Sequence, residues 1–160
     1  MLTFSVAGRP APKGSLRAVV LRSRRGPLRT QLLHDNPRTK TWQTLLRDEA
    51  AYALARAGLS PVLLPRPAAV RIVAAFVVPC PQKLQRRADA RPTSKKDDLD
   101  KLTRTLFDAL TGVVYDDDSQ VVEVHVSKRY PRNGDVVGVS VWIIGGQEDG
   151  REWTAATDVL

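Results

Sequence analysis

The residues with the clearest chemical potential in this sequence are six aspartates, grouped in one short stretch of an otherwise basic chain. They are Asp97, Asp98, Asp100, Asp116, Asp117 and Asp118. Carboxylates held close together repel one another, and a bound cation is a common reason for a protein to tolerate them. Their oxygen atoms suit Mg²⁺ or Mn²⁺. The pattern therefore indicates metal-dependent chemistry, provided that the two acidic groups converge in the fold.

The rest of the chain is strongly basic. It contains 25 Lys and Arg residues against 17 Asp and Glu residues, which gives a formal net charge of +8. Such a charge favours nucleic acid as a partner, because binding phosphates releases counterions. The plain alternative is that the charge serves solubility or loose attraction to any polyanion. Together with the acidic groups, it suggests an enzyme that cuts nucleic acid.

Length and composition indicate a single domain of 160 residues with an ordinary hydrophobic core. The one cysteine, Cys80, excludes an intrachain disulfide and a Cys-rich zinc site. We therefore expect a reducing, cytoplasmic environment. The first residues lack the apolar core of a signal peptide, and no apolar run is long enough to span a membrane. Association with a membrane is not expected.

Hydrophobic periodicity predicts an α+β fold in the order β-α-β-α-β-β. We expect two layers, with a mixed sheet of about four strands packed against two main helices. The predicted strands are 2–7, 69–78, 120–130 and 136–144, and the predicted helices are 41–57 and about 100–111. Asn133-Gly134 is typical of a turn, so the last two strands are predicted to form a hairpin.

The predicted domain covers residues 1–144, with a flexible tail at 145–160. Two basic segments, 9–40 and 82–97, are predicted to be long loops that contact phosphates, with solvated, disordered loops as the alternative. The candidate nucleic-acid-binding residues are Lys13, Arg17, Arg22, Arg24, Arg25, Arg86, Arg87, Lys95, Lys96 and Lys101. The second segment leads directly into the first acidic group and would bring positive charge to its edge.

The spacing of Asp98 and Asp100 carries structural information. Residues two apart point to opposite sides of a helix but to the same side of an extended segment. If both bind one metal, the chain must be extended or capping the helix there, with the helix starting near Asp100. Whether Asp118 returns to the same place is left open by spacing. As alternatives, the first group could cap the helix, the second could form a turn, and Asp100 could pair with Arg104.

One longer motif is more specific. Residues 96–122, KDDLDKLTRTLFDALTGVVYDDDSQVV, combine Asp-x-Asp, a helix with Phe-Asp-Ala-Leu, a turn, and Asp-Asp-x-Gln-Val at the start of a strand. This stretch resembles the core of the RusA family of Holliday junction resolvases. The early segment VAGRPAPKGSLR is similar, more weakly, to the first strand and loop of that family.

The resemblance implies a homodimeric endonuclease that needs Mg²⁺, with Mn²⁺ as a substitute, and no small-molecule cofactor. It further implies paired symmetric nicks in branched, four-way DNA, in recombination, repair or phage DNA processing. The family's catalytic, metal-binding aspartates fall on Asp98, Asp100 and Asp118, and Asp118 is preferred over Asp117 because it directly precedes x-Gln-Val. The family's catalytic lysine falls on Arg104.

Arg104 is a departure from the family pattern. Arginine stays charged and can clamp a phosphate, but it is a poor proton donor or acceptor at neutral pH. An electrostatic role would therefore be preserved and a proton-transfer role would not. Lys101 is a poorer substitute by position, although its ammonium could reach around the helix end, and Lys95 and Lys96 are further candidates.

Two other functions compatible with the sequence are a non-catalytic basic module that binds nucleic acid, and a protein whose divalent ion serves stability alone. In the first, the aspartates would be helix-cap and turn residues. Magnesium-dependent cleavage would distinguish the enzyme from both.

Overall fold

The computed structural model describes residues 1–14, 16–21, 29–34, 36–87, 93–94, 97–132 and 134–146. The strands are β1 (Leu2–Ala7), β2 (Leu16–Leu21), β3 (Arg29–His34), β4 (Ala69–Val77), β5 (Val121–Arg129) and β6 (Gly138–Gly146). The helices are α1 (Arg38–Arg56) and α2 (Leu99–Leu110), and short 3-10 turns occupy Gln82–Arg87 and Asp118–Gln120. The predicted α+β order of four main strands and two helices is confirmed.

The main sheet has the strand order β1-β6-β4-β5. β4 runs parallel to β5 and antiparallel to β6, and β6 runs antiparallel to β1. The sheet is therefore mixed, as predicted. Parallel neighbours need a long crossover connection, and α2 lies in the connection between β4 and β5.

The predicted hairpin between the last two strands is wrong, because β5 and β6 lie on opposite sides of β4. β4 is buried along nearly its whole length on both faces, which is typical of a central strand. The segment 130–137 carries the chain past β4 instead of turning it back onto β5. The turn residues at Asn133-Gly134 do not distinguish these two paths.

The long loop predicted at 9–40 contains a second sheet, the hairpin β2–β3. These two strands were not predicted, because their apolar runs (such as Val19 and Val20) are short and lie among charged residues. Residues 15, 22–28 and 35 lie outside the described part of the chain. At the other end, β6 continues to Gly146, beyond the strand predicted to end at 144, and the rest of the predicted tail lies outside the described residues.

The core lies between the main sheet and the two helices. α1 buries Trp42, Leu46, Ala50 and Leu54, which are spaced four residues apart and so form one stripe. α2 buries Leu102, Leu106, Ala109 and Leu110, the face that the sequence predicted. Opposite them on the sheet lie Phe4, Val70, Ile72, Phe76, Val141 and Ile143. Among the described helices, none is long and apolar enough to cross a membrane.

Leu106 is expected to contribute strongly to stability, because its side chain is fully buried. Replacing it by Ala should lower the free energy of unfolding by about 2–5 kcal/mol, through lost burial and the cavity left behind. Denaturant unfolding measures this effect. Leu45→Ala on the exposed side of α1 is the matched control and should change the free energy by less than about 0.5 kcal/mol. Equal effects of the two substitutions would contradict the placement of the core.

Candidate active site

The first acidic group lies where the chain enters α2. Asp97 has a positive φ of 68°, and Asp98 is the N-cap residue with φ −54° and ψ 131°. The backbone is therefore not helical before Leu99, as the Asp-x-Asp spacing predicted. The Asp98 carboxylate makes no capping hydrogen bond. It is 65% exposed and forms an ion pair with Lys101, Oδ2 to Nζ 3.2 Å.

Asp100 lies in the first turn of α2, where the helix dipole favours a negative charge. Its side chain is exposed. Within the described part of the chain, no hydrogen bond or ion pair engages its carboxylate, and no ion pair joins it to Arg104. Asp98 and Asp100 thus present two carboxylates at one helix end, neither of them used to cap it.

In the second acidic group, Asp116 and Asp117 have structural partners. The backbone N–H of Arg66 donates to Asp116 (2.9 Å), and the Arg66 guanidinium lies 3.1 Å from the Asp117 carboxylate. Asp117 also caps the 3-10 turn by accepting from the Ser119 N–H. Hydrogen bonds from Ser119, reinforced by Arg66, hold the pKa of Asp117 below its usual value. For these two residues, the turn and cap alternative describes what they do.

Asp118 differs from its two neighbours. It is exposed, and within the described residues its carboxylate has no hydrogen bond or ion pair. Its charge acts on Tyr115, whose hydroxyl donates to the Phe107 carbonyl of α2 (3.3 Å). Burial, together with the charge of Asp118, raises the pKa of Tyr115, which therefore stays neutral. This places the turn of Asp118 beside the C-terminal half of α2.

Gln120 positions this turn, a role that the sequence did not reveal although the residue stood in the motif. Its buried side-chain amide donates to the carbonyls of Leu64 and Ala68, both at 2.9 Å, and its oxygen accepts from the Asp117 N–H at 3.1 Å. These three bonds fasten the turn that carries Asp118 to the loop before β4. The sequence feature that could have indicated this role is a glutamine two residues after Asp118, directly before the start of β5.

Gln120→Ala should lower the free energy of unfolding by about 1–3 kcal/mol, because it leaves two partly buried carbonyls without a donor. Cleavage should fall further than stability, since the turn that carries Asp118 loses its anchor. Denaturant unfolding and a nicking assay measure the two effects. Ser119→Ala is the control: it removes from the same turn an exposed hydroxyl that accepts a single hydrogen bond from Arg66 (3.2 Å), and it should cost less than about 1 kcal/mol. An unchanged unfolding free energy in Gln120→Ala would refute the anchoring role.

The two acidic groups lie at different ends of β5. Lys128, near the end of β5, donates through Nζ to the Asp97 carbonyl (2.8 Å), whereas Asp118 directly precedes the start of that strand. Val121 and Lys128 are about 23 Å apart at 3.3 Å per residue. α2 connects the end of β4 to the start of the parallel strand β5, so it runs in the opposite direction to both. The start of α2 therefore lies near the C-terminal ends of these two strands. Among the described residues, no three Asp, Glu, His or Cys side chains are arranged to hold a metal.

A sequence profile of the family described as Endodeoxyribonuclease RusA matches residues 10–143, which include both acidic groups, the second basic segment and all of the first except residue 9. The chain belongs to the RusA family. It is therefore an endodeoxyribonuclease of the Holliday junction resolvase type, which hydrolyses phosphodiester bonds. RusA proteins act on branched DNA, and nucleases of this kind generally need divalent metal ions. No curated protein matches the chain.

The described cations beside the RusA motif include Lys101, Arg104 and Lys13. Lys101 is held against Asp98, and Arg104 is exposed one turn after Asp100. The Lys13 N–H donates to the Lys101 carbonyl (3.1 Å), and its ammonium lies 2.7 Å from Asp108. The early Pro/Lys segment of the motif thus packs on α2. The side chains of the other candidate phosphate contacts lie outside the described residues: Arg17, Arg22, Arg24, Arg25, Arg86, Arg87, Lys95 and Lys96.

Proposed function

We propose that the protein is a Mg²⁺-dependent, structure-selective endonuclease that resolves four-way DNA junctions by paired symmetric nicks, in recombination, repair or phage DNA processing. The observation that carries this proposal is the RusA match over residues 10–143. The structure supports it by leaving the side chains of Asp98, Asp100 and Asp118 exposed, with no capping hydrogen bond to their carboxylates among the described residues. The lone cysteine, Cys80, is in keeping with action in the reducing cytoplasm.

The chemistry of the donor set fits a hard divalent cation. Asp98, Asp100 and Asp118 offer carboxylate oxygens alone, and Mg²⁺ prefers such ligands to imidazole or thiolate. Mn²⁺ accepts the same ligands and is the expected substitute. When bound, the ion lowers the pKa of a bound water and neutralises charge on the scissile phosphate. The carboxylates hold the cation, and nearby cations of the chain hold the DNA phosphates.

The separation of the two acidic groups supports a homodimer as the active form. Asp98 and Asp100 stand at the start of α2, and Asp118 lies beyond the other end of the adjacent strand. A site with all three ligands then takes Asp98 and Asp100 from one copy and Asp118 from the second. A twofold dimer has two such sites. Two sites per dimer are what paired nicks in opposite strands require.

The basic residues contribute binding along the arms of the junction. Each phosphate contact releases counterions, so affinity should fall steeply with salt for junctions and linear duplexes alike. Preference for a junction then depends on the shape of the DNA. Two well-separated groups of cations on a dimer can contact phosphates on different arms of a junction. The candidate contacts are those of the two basic segments, with Lys101 at the edge of the site.

A nicking assay on a synthetic mobile four-way junction tests the proposed function. With Mg²⁺ we expect nicks at symmetric positions in two opposing strands, and none in the presence of EDTA. A linear duplex of the same sequence, at the same moderate salt, is the control. Equal cleavage of junction and duplex would reduce the protein to a general nuclease, and cleavage that persists in EDTA would remove the metal from the mechanism.

Arg104 is expected to act through its charge, because it occupies the position of the family lysine and stays protonated. Arg104→Gln should lower the cleavage rate by about 10- to 100-fold, the value of a lost charge-assisted hydrogen bond to phosphate. Arg104→Lys keeps the charge and should stay within a few-fold of the original rate. Single-turnover cleavage of the junction measures both. A normal rate in Arg104→Gln, together with a large loss in Lys101→Gln, would transfer the role to Lys101.

A further inference from the structure

The basic hairpin β2–β3 is joined to the domain by its two ends. β2 and β3 pair with each other, and neither makes an extensive contact with another described helix or strand. In the sequence, residues 14–35 carry five arginines against one acid, Asp35. The position of this positive charge relative to α2 therefore depends on the segments that lead into and out of the hairpin.

Both of these segments meet at the Pro12 carbonyl. Asn36, which follows the hairpin, donates to this oxygen through Nδ2 (3.1 Å), and Thr39 donates to it through Oγ1 (2.8 Å). Thr39 is buried in the first turn of α1. The side-chain oxygen of Asn36 accepts from the Arg38 N–H (3.1 Å), so Asn36 is held from both sides. The chain before the hairpin is thus fastened to the start of α1.

Lys13 connects the same point to α2. Its backbone N–H donates to the Lys101 carbonyl (3.1 Å), and its ammonium lies 2.7 Å from Oδ2 of Asp108. Gln43 of α1 donates to the same carboxylate oxygen at 3.2 Å. The side chains of Lys13 and Asp108 are 40% and 32% exposed, so water screens their attraction only in part. We call Lys13, Asp108 and Gln43 the strap.

We propose that Asp108 is a positioning residue that holds the base of the basic hairpin against α2, and that Lys13 acts in this strap and not as a phosphate contact. This inference rests on the proposed function, in which the hairpin binds DNA. Asp108 lies two turns after Asp100 on the same helix, about 12 Å along its axis at 1.5 Å per residue. The strap therefore fixes the hairpin relative to the helix that carries Asp100 before DNA arrives, and such preorganisation raises affinity.

The alternative is that Lys13 contacts a DNA phosphate and Asp108 only balances its charge. The two roles predict opposite effects of removing the charge of Asp108. If Lys13 binds phosphate, the loss of a nearby acid should leave DNA binding equal or tighter, because repulsion of the phosphates falls. If Asp108 anchors the strap, the same change should weaken binding although the protein becomes more positive.

Junction binding by the full chain in EDTA distinguishes these roles, with fluorescence anisotropy as the measurement. Asp108→Asn and Lys13→Gln should each weaken binding by about 10-fold, the scale of one lost charge-assisted hydrogen bond. The double variant should bind no more weakly than either single variant, because both act on one contact. Asp48→Asn and Arg47→Gln, exposed on α1, are the charge-matched controls and should bind within about twofold of the original protein.

Equal or tighter binding by Asp108→Asn would overturn the proposal. A double variant weakened by the product of the two single effects would also overturn it, since the two residues would then act independently. Circular dichroism checks that each variant is folded.

Hydrogen exchange followed by NMR reports on the strap without DNA. The Lys13 amide, bonded to the Lys101 carbonyl, should exchange at least about 10-fold faster in Asp108→Asn, because local opening becomes easier. Amides of the central strand β4 should keep their rates, as a change in global stability would not allow. Unchanged exchange at Lys13 would overturn the strap.

Cleavage at saturating junction separates the strap from the chemistry. The single-turnover rate of Asp108→Asn should stay within about threefold of the original, because the strap acts on binding. A rate that falls while affinity is unchanged would overturn the proposal. Strap-dependent binding by a protein that never nicks junctions would overturn the proposed function and leave the strap standing. Normal nicking with binding that does not depend on Asp108 would do the reverse.

Discussion

Replacing Asp100 by Asn is expected to abolish junction cleavage while leaving junction binding intact or tighter. The exchange keeps the size and polarity of the side chain but removes the charge that would hold the cation. We expect the nicking rate to fall by at least about 10²–10³-fold, the scale on which one preorganised electrostatic group contributes to a transition state. Binding should not weaken, since a negative charge beside the DNA phosphates is lost. Single-turnover nicking and a gel-shift titration measure the two effects.

The exposed position of Asp100 separates an effect on cleavage from an effect on folding. Its side chain is exposed and, among the described residues, forms no hydrogen bond or ion pair, so the substitution should not disturb folding. Asp48→Asn, at another exposed aspartate on α1, is the matched control and should cleave normally. An Asp100→Asn protein that nicks junctions at the original rate would exclude the carboxylate from catalysis. A matching loss in Asp48→Asn would point to net charge in place of a site.

Mixing two inactive variants is expected to restore activity. Asp100→Asn and Asp118→Asn should each be inactive as homodimers. In a mixed dimer, one site combines the intact Asp98 and Asp100 of the second variant with the intact Asp118 of the first. The other site carries both substitutions. The mixed dimer should therefore nick one strand of a junction and fail to make the paired cut.

Differently tagged copies, co-refolded and purified through both tags, supply the mixed dimer. The control is a mixture of Asp98→Asn with Asp100→Asn, which leaves a damaged residue pair at both sites and should stay inactive. If each chain built its own complete site, the first mixture would also be inactive. That result, with a stable mixed dimer, would refute the shared site while leaving the family assignment unaffected.

Local pattern was sufficient for the elements that the sequence predicted well. α2 buries the leucines that the helical spacing selected, and the chain leaves the helix near Gly112, whose φ is positive as expected for a residue after a helix end. β4 stood out as an apolar, β-branched run. The non-helical backbone at Asp98 was expected on the condition that Asp98 and Asp100 bind one metal, because a helix would point the two carboxylates to opposite sides.

The features that could not be predicted from the sequence depend on contacts between segments that are far apart in the chain. The hairpin prediction was wrong because a turn motif does not identify which strand pairs with the next one. In the structure, β6 pairs with β4 and not with β5. The relation of Asp118 to Asp98 depends on β5 being parallel to β4, which sets the direction of α2 between them. Gln120 gains its role from two carbonyls in a loop more than fifty residues earlier in the chain. None of these three relations produces a repeating pattern of apolar and polar residues that could be recognised in the sequence.

Anomalous scattering from crystals grown with Mn²⁺ would test the shared metal site most directly. We predict a manganese peak in contact with Asp98 and Asp100 of one copy and with Asp118 of its twofold mate, and its loss in crystals of Asp118→Asn. A manganese ion held by residues of a single copy, or bound away from these three aspartates, would contradict the proposed centre.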